Sequence, residues 1–480
     1  MKLSKIELLL KALKKHELQL LEKFISSPYF NSKKDITSLF IFFYESIKKD
    51  KFNFNLGTRE DAFSYVYPNE SFNKIKITKL VSELVNLIQQ FYVNQEIRYN
   101  NHLNKKIFIS SLSSRNLDNQ FFKESKKLIS QIKASPVQDA DTHIDLHLLQ
   151  KALHFHQGEP TSNKDLESLA EIQKRLDIYY LLSKLQLICE ANCLHHTYKE
   201  QLDIPMLDTV KKLSLQYEST SILFPLYLNN LSNFQNLNDS ESFDSLVSIF
   251  FKNLNLLSKK EQFSIFILIL NTAGIRINAG HSDGIRKQFE LYRMGLDNNI
   301  LIRNNRITPQ SFTNIVGLAT NLNEITWAKK FIKNNSKFLP ESVIEACILF
   351  SKGKIAFKQE KYDETLHFLW NCRFDHIAFD IRTKSFIIRT LFEIYNKNQT
   401  SEQYDFCIGQ ILTIEKFIRR KKDLSKAKVS AYLNFIKITK KLLKLIANNN
   451  LTRTQANNLR TKISKNENVV AKEWLISKLN

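Results

Sequence analysis

Apolar residues recur along most of the chain at the spacing i, i+3, i+4 and i+7, and short clusters of Asn, Ser and Asp separate the periodic segments. This spacing places apolar side chains on one face of an α-helix. A half-buried strand would instead alternate apolar and polar residues, and the chain shows no convincing series of that kind. The pattern predicts helices over 3–25, 36–48, 75–98, 119–133, 141–156, 163–195, 241–256, 261–278, 283–298, 309–321, 325–337, 341–358, 362–372, 379–396, 402–419 and 426–447.

So many helices do not fit one simple bundle. In a stack of helical hairpins, each pair buries its apolar face on its neighbours. We therefore predict an all-α fold, an α-solenoid of stacked, tetratricopeptide-like hairpins with an N-terminal helical region. The predicted domains are an N-terminal helical domain (1–135), a helical-hairpin array (136–300), degenerate tetratricopeptide-like repeats (301–420) and basic C-terminal capping helices (421–480).

The clearest internal repeat lies between residues 309 and 420. The segment LFSKGKIAFKQEKYDETLHFLWNC (349–372) contains a first helix, a KYDET turn and a second helix, and segments on either side follow the same order. The equivalent positions Ala328, Thr365 and Cys407 are 37 and 42 residues apart. A strict tetratricopeptide repeat has about 34 residues, so the period is related but irregular.

These segments resemble tetratricopeptide-type repeats. Gly353, Tyr362 and Leu369 stand on the pattern's small and aromatic positions, whereas Thr365 replaces its alanine and Leu349 its tryptophan. The resemblance implies a groove lined by the first helices of successive hairpins. The residues that we predict to line this groove are Asn314, Asn321, Lys354 and Lys358.

A wider resemblance spans essentially the whole chain. It rests on LEKFISSPYFN, YVYPNESFNKIKITKLVSELVNLIQQF, LDIYYLLSKLQLICEANCL, FELYRMGLDNNILI, FTNIVGLATNLNEITWAKKFI and AKEWLISKL. With these pieces the chain resembles a family of uncharacterised bacterial α-helical repeat proteins. The resemblance implies a helical-repeat architecture and brings no catalytic residue with it.

The amino-acid composition excludes several classes of protein and indicates the cellular compartment. Gly 9 and Pro 8 in 480 residues exclude collagen-like and turn-dense all-β chains, and 43% hydrophobic residues exclude general disorder. The five cysteines show no disulfide-framework spacing, which favours a reducing cytoplasm. Lysines interrupt the amino terminus, and the longest apolar run is far shorter than a membrane span. We expect a cytoplasmic protein without integral membrane insertion.

Two clusters of residues could bind a metal ion. His143, His147 and His154 share one helical face, which we interpret as a solvated polar face because HIDLH lacks the Glu placement of HExxH. Cys189 and Cys193 share a face with His196, but leucines continue that face upstream, so core packing is the favoured interpretation.

No other motif indicates catalysis. The loop at 278–287 contains glycines, yet it lacks the phosphate-binding patterns and is explained as a turn between two helices. Nucleophile-elbow and kinase patterns are missing from the sequence. We therefore predict no enzyme activity, no metal and no cofactor.

The net charge of +22 is concentrated at one end. Residues 416–480 carry 17 basic and 3 acidic side chains, whereas residues 161–415 carry 29 and 28. Such an excess favours an anionic partner, and the alternative is the solvated face of a capping hairpin. The candidate anionic-partner surface comprises Arg419, Arg420, Lys421, Lys422, Lys437, Lys440, Lys441, Lys444, Arg453 and Arg460.

Two functional hypotheses follow. The first is a non-catalytic protein–protein interaction scaffold that binds a protein or peptide in the repeat groove. The alternative is a nucleic-acid-binding protein that uses the basic C-terminal helices. A third hypothesis is that the same basic C-terminal helices bind anionic lipid. The oligomeric state and the identity of the partner stay open at this point.

Overall fold

The computed structural model of the protein describes residues 4–49, 57–157, 166–198, 203–278, 284–421, 424–465 and 468–479. Over these ranges the fold is all-α, as predicted, with twenty-three α-helices and no β-strand. The helices are α1 (Ser4–Lys11), α2 (Lys15–Ile25), α3 (Lys34–Lys49), α4 (Arg59–Val66), α5 (Lys74–Tyr99), α6 (Asn101–Ser113), α7 (Asp118–Lys133), α8 (Ala140–His154), α9 (Leu166–Tyr198), α10 (Leu207–Leu215), α11 (Leu223–Gln235), α12 (Ser240–Lys252), α13 (Lys259–Asn278), α14 (Gly284–Asp297), α15 (Pro309–Asn321), α16 (Ile325–Asn335), α17 (Ile344–Lys358), α18 (Tyr362–Asn371), α19 (Ile377–Asn398), α20 (Ser401–Arg420), α21 (Lys426–Ala447), α22 (Arg453–Lys465) and α23 (Lys472–Ser477).

Every helix predicted from periodicity overlaps an observed helix, with two kinds of difference. The predicted helix 3–25 is interrupted between α1 and α2. There the backbone N–H of Lys14 donates to the Glu17 carboxylate at 2.7 Å, so that a second helix starts. The prediction omitted α4, α6, α10, α11, α22 and α23.

The chain divides into two compact units, residues 1–131 and 132–480. In the first unit α5 is the central helix, and α1, α2, α3, α4 and α6 all pack on it. Hydroxyl groups connect its helices, because Tyr92 donates to the carbonyl of Leu9 at 2.7 Å and Tyr67 to the Asp35 carboxylate at 2.6 Å. The core beneath them is aliphatic and aromatic, with Leu84, Ile88 and Phe91 essentially inaccessible.

The second unit is built from helices that pack on their neighbours in the chain. Between residues 309 and 420, α15 pairs with α16, α17 with α18, and α19 with α20, and α15 also packs on α17. One hydrophobic core continues from α9 to α23. The equivalent repeat positions Ala328, Thr365 and Cys407 are all buried.

Polar residues set the helix ends. Thr308 caps α15 by accepting from the backbone N–H of Ser311, and Pro309 follows in the first turn, where it costs no hydrogen bond. Asn323, Glu360 and Gln399 have positive φ just after α15, α17 and α19. A left-handed residue at this place ends a helix, so the chain reverses direction and the next helix of the pair can begin.

Two glycines permit close helix contacts. A Cβ atom on Gly295 of α14 would lie 2.3 Å from the Phe266 ring of α13. A Cβ on Gly353 of α17 would lie 3.0 Å from the Leu369 side chain of α18. Both helix pairs therefore pack at a distance that only a glycine allows without movement.

The described helices fall short of membrane-spanning segments. None of these helices combines the length and the apolar character that crossing a lipid bilayer requires.

Candidate functional site

Three helices of the second unit bring polar side chains together around Thr313. From α17, the Lys354 ammonium donates to the Thr313 carbonyl at 3.0 Å. From α19, the Arg382 guanidinium donates to the Thr313 hydroxyl at 3.4 Å and to the side-chain oxygen of Asn314 at 3.0 Å. Asn314 in turn donates to the Tyr292 hydroxyl at 3.3 Å. Residues distant in sequence thus form one polar cluster on α15, α17 and α19, which Asn314 extends to Tyr292 of α14.

The two cations of this cluster also share an aromatic ring. Lys354 Nζ lies 5.0 Å and Arg382 Cζ 5.4 Å from the centroid of Phe350. Gly317 makes room for the lysine, since a Cβ at that position would lie 2.6 Å from Nζ. A glycine of α15 therefore accommodates a charged group of α17.

A third cation, Arg389, lies two turns after Arg382 on α19. Its guanidinium lies 4.7 Å from the Phe386 ring centroid, 5.2 Å from that of Phe357 and 5.4 Å from that of Trp474. Its Nε is buried and has no hydrogen-bond partner among the described residues. Aromatic faces attract such a cation but do not neutralise it.

None of these three cations forms an ion pair within the described part of the chain. By contrast, Lys384 on α19 does form an ion pair, since its ammonium lies 2.7 Å from the Asp380 carboxylate. The side chains of Lys354, Arg382 and Arg389 are half-buried. We call Lys354, Arg382 and Arg389 the groove cations.

Burial acts on all three groove cations, and repulsion by neighbouring cations acts on Lys354. Burial lowers the pKa of Lys354 well below its usual range, and the charges of Arg382 and Arg389 lower it further. Burial also lowers the pKa of both arginines, that of Arg389 to about 10, where the charge of Glu393 partly opposes the shift. A desolvated cation with like-charged neighbours is unfavourable, and a bound anion would relieve both effects.

The structure brings together two of the four predicted groove residues. Asn314 and Lys354 belong to the polar cluster. Asn321 and Lys358 are exposed near the C-terminal ends of α15 and α17, and neither contacts the cluster through a described hydrogen bond or ion pair. The two groove arginines were not predicted, because in the sequence they are single basic residues in a helix.

The predicted basic surface near the C-terminus is partly engaged within the fold. Arg419 and Lys440 both bind Glu415, each at 2.7 Å. Arg460 donates to the carbonyl of Leu479 at 3.1 Å. The Lys421 ammonium lies 4.7 Å from the Phe417 ring centroid. These side chains contribute to helix packing at the carboxyl end of the unit.

Other residues of the same surface face solvent. Lys437, Lys441 and Lys444 are exposed and lie on one face of α21, while Lys440 at the edge of that face turns toward α20. Arg420 and Arg453 are exposed as well. Lys422 lies outside the described residues. The face of α21 is thus a lysine stripe of three exposed side chains.

The histidine prediction is wrong. His143, His147 and His154 are all buried, because α8 packs this face against α9. There His147 contacts the Ile172 carbonyl at 2.9 Å and His143 accepts from Arg175 at 3.2 Å. A row of histidines on one helical face indicates a solvent-exposed polar face in the sequence alone. In the fold, α9 supplies polar partners that allow these histidines to be buried.

The cysteine prediction is confirmed. Cys189 and Cys193 lie in the hydrophobic core, and the Cys189 thiol donates to the Tyr227 carbonyl at 3.5 Å. Burial raises the pKa of Cys193 to about 12. The remaining cysteines, Cys347, Cys372 and Cys407, are also buried. Of the glycine-containing loop, residues 279–283 lie outside the described part.

Comparison with known proteins identifies no relative. The resemblances to tetratricopeptide-type repeats and to bacterial helical-repeat proteins therefore remain predictions. No protein-family model, no curated protein and no solved structure matches the chain.

Proposed function

We propose that the protein is a non-catalytic protein–protein interaction scaffold, in which stacked helical hairpins form a solenoid that binds a polypeptide. The observation that carries the proposal is the convergence of Lys354 and Arg382 on Thr313. Three helices contribute to this cluster, and its two cations have no carboxylate partner in the described part of the chain. Polar donors left without a counterion are suited to recognition.

The location of the cluster supports the same function. α15 and α17 are the first helices of two successive hairpins, and α19 is the first helix of the next. In helical-repeat proteins, first helices line an extended binding surface. A cluster that crosses three of them would contact a ligand longer than one hairpin, and a polypeptide is such a ligand.

A site-specific photo-crosslinker tests the proposal. Lys358 is exposed one turn after Lys354 on α17, and Lys352 is exposed on the opposite side of the same helix. We would place p-benzoylphenylalanine at either position in the full chain and irradiate the native cells. The adduct is then identified by mass spectrometry, and the purified polypeptide is tested for binding to the purified chain.

We expect one defined polypeptide to cross-link at position 358 and not at position 352. Equal adducts at both positions would indicate random encounter. A chain that is present at its normal level and gives no adduct at 358 would contradict the scaffold proposal.

A second candidate function is nucleic-acid binding, favoured by the lysine stripe Lys437, Lys441 and Lys444. Exposed lysines on one helix face can contact successive phosphates, and such binding weakens steeply with salt. Reversal of the three lysines to Glu should abolish a DNA or RNA mobility shift at low salt. The matched control reverses Lys329, Lys330 and Lys333, which are exposed on α16.

Loss of the shift in both variants would show that only total charge matters. If the wild-type chain gives no shift at low salt, the nucleic-acid function is excluded. Flotation with anionic vesicles, performed on the same variants, separates this function from lipid binding.

A further inference from the structure

We propose that the groove cations bind an acidic polypeptide segment, with one carboxylate between Lys354 and Arg382 and a second near Arg389. The inference rests on the proposed scaffold function and specifies the chemistry of its partner. The partner is a chain segment rich in Asp or Glu.

The first step is the geometry around Thr313. Lys354 uses the Thr313 carbonyl and Arg382 the Thr313 hydroxyl, so the two cationic groups lie side by side. Each also faces the Phe350 ring from about the same distance, 5.0 Å and 5.4 Å. An ammonium has three donors and a guanidinium five, and the hydrogen bonds described use only part of them. Donors therefore remain for a carboxylate placed between the two groups.

The second step is the charge balance. Two other basic side chains of the second unit with similarly low exposure are paired, Arg175 with Glu171 and Lys478 with Glu393, each at 2.7 Å. No carboxylate forms an ion pair with any of the three groove cations among the described residues, and Glu393 acts on Arg389 only from beyond ion-pair distance. Burying an uncompensated charge is costly, whereas a buried cation that binds a carboxylate recovers part of that cost.

The third step is the spacing along α19. Arg382 and Arg389 are seven residues apart, which corresponds to a rise of about 10 Å along a helix. In a peptide with the polyproline II conformation, which has three residues per turn, residues three apart share one face and are separated by about 9 Å. The geometry therefore favours a segment that carries acidic residues at positions i and i+3.

Side-chain carboxylates fit this site better than nucleic acid does. The groove cations are half-buried, so a ligand must reach below the surface of the helices. An Asp or Glu side chain projects from a flexible backbone and can do so. The phosphates of a duplex lie on a stiff cylinder, and they suit the exposed lysine stripe on α21 instead.

The test is a fluorescence anisotropy titration with the full chain. The probe is a fluorescein-labelled Gly/Ser peptide of about twelve residues with aspartates at every third position, and its control replaces each Asp by Asn. Because the chain has a net charge of +22, a charge-matched comparison is essential. The groove variant is K354M/R382Q, and its control is K437Q/K441Q, which removes the same charge from α21.

We expect the acidic peptide to bind, the Asn peptide not to bind, and K354M/R382Q to weaken binding by at least tenfold. The K437Q/K441Q control should change the affinity less than about threefold, because long-range attraction between exposed charges is screened by salt. Equal losses in both variants would overturn the proposal in favour of non-specific attraction. Unchanged binding by K354M/R382Q would overturn it directly.

A milder variant addresses folding. Gly317→Ala displaces the Lys354 ammonium, which is the flexible end of its side chain, and leaves Arg382 in place. This variant should bind the acidic peptide more weakly than wild type does, with no loss of the helical circular dichroism signal. Wild-type affinity in this variant would contradict the proposed binding site. Successful cross-linking at position 358 together with failure of the acidic peptide would retain the scaffold function and reject only the acidic partner.

Discussion

The indole N–H of Trp474 donates a 2.7 Å hydrogen bond to the buried carboxylate of Glu393. The bond connects α23, the last helix, to α19, which carries two of the groove cations. Lys478 binds the same carboxylate at 2.7 Å, and the Trp474 ring packs edge-on against Phe392 at 5.2 Å. The carboxyl end of the chain is thus fixed to the helix that forms part of the candidate site.

Loss of the Trp474–Glu393 bond should destabilise the second unit. Trp474→Phe keeps an aromatic ring but removes the N–H donor and part of the buried indole, so we expect a loss of at least about 1.5–3 kcal/mol, the value for a hydrogen bond to a charged group. Glu393→Gln should be similarly unfavourable because it removes the partner of Lys478. The exposed Glu473→Gln on the same helix is the control and should stay within about 0.5 kcal/mol. Urea unfolding followed by circular dichroism measures all three.

Two glycine-to-alanine substitutions should have opposite effects. At Gly295 the new Cβ would lie 2.3 Å from the Phe266 ring, so α13 and α14 must separate, at a cost of about 1–3 kcal/mol. At Gly409 on α20 nothing lies within 4 Å of the new Cβ. Alanine there should stabilise the helix by about 0.5–1 kcal/mol. The unfolding temperatures of both variants, compared with that of wild type, test these two expectations. A Gly295→Ala variant more stable than wild type would contradict the close α13–α14 contact.

Stability should depend on the protonation of His143. Burial, together with the charge of the adjacent Arg175, lowers the pKa of this residue to about 4. An unfolded histidine has a pKa near 6.5, so between about pH 6.5 and 4 the unfolded chain binds the extra proton. The contribution of neutral His143 is therefore complete above that window and is lost as the pH falls, by about 2 kcal/mol at pH 5.

The measurement compares the urea midpoint of wild type and His143→Asn at pH 7.5 and pH 5. The variant should lose less stability than wild type between the two pH values. His367→Asn, at an exposed position, should follow wild type. Parallel pH profiles for wild type and His143→Asn would show that His143 does not titrate as described.

Glu415 should couple α20 to α21. Hydrogen bonds from Lys440 and Arg419 lower the pKa of this carboxyl group. Its contribution is therefore present above the ordinary carboxyl pKa and is lost as the pH falls through the lowered value. In a double-mutant cycle of Glu415→Gln and Lys440→Met, we expect a coupling free energy of less than about 1 kcal/mol that decreases in high salt. A coupling free energy of zero at low salt would contradict a stabilising ion pair between Glu415 and Lys440.

Helical periodicity predicted the fold class and most helix positions because amphipathic helices repeat their apolar residues locally. It missed α11, where Asn230 and Asn233 are buried among the apolar residues and Pro225 lies in the first turn. Asn230 is tolerated there because it donates to the Thr272 hydroxyl of α13 at 3.1 Å. A polar residue that finds its partner on another helix looks like a surface residue in the sequence.

The sequence predicted only part of the candidate site, because the rest depends on contacts between distant helices. Lys354 and Asn314 were identified because the repeat pattern places them on first helices. Arg382 belongs with them only through hydrogen bonds to Thr313 and Asn314, almost seventy residues earlier in the chain. The buried histidines of α8 show the reverse case, in which an apparently exposed face packs against α9. Contacts between distant segments carry no local signal.

The five buried cysteine thiols can report how fast different helix pairs of the second unit open. They lie on α9, α17 and α20 and at the end of α18, and burial raises the pKa of Cys347 and Cys407 to about 12 and that of Cys372 to about 11. A thiol reacts as an accessible thiolate, so each cysteine is alkylated only when its own helices open. Timed alkylation followed by peptide mapping would thus rank the opening rates of separate helix pairs in the unmodified chain.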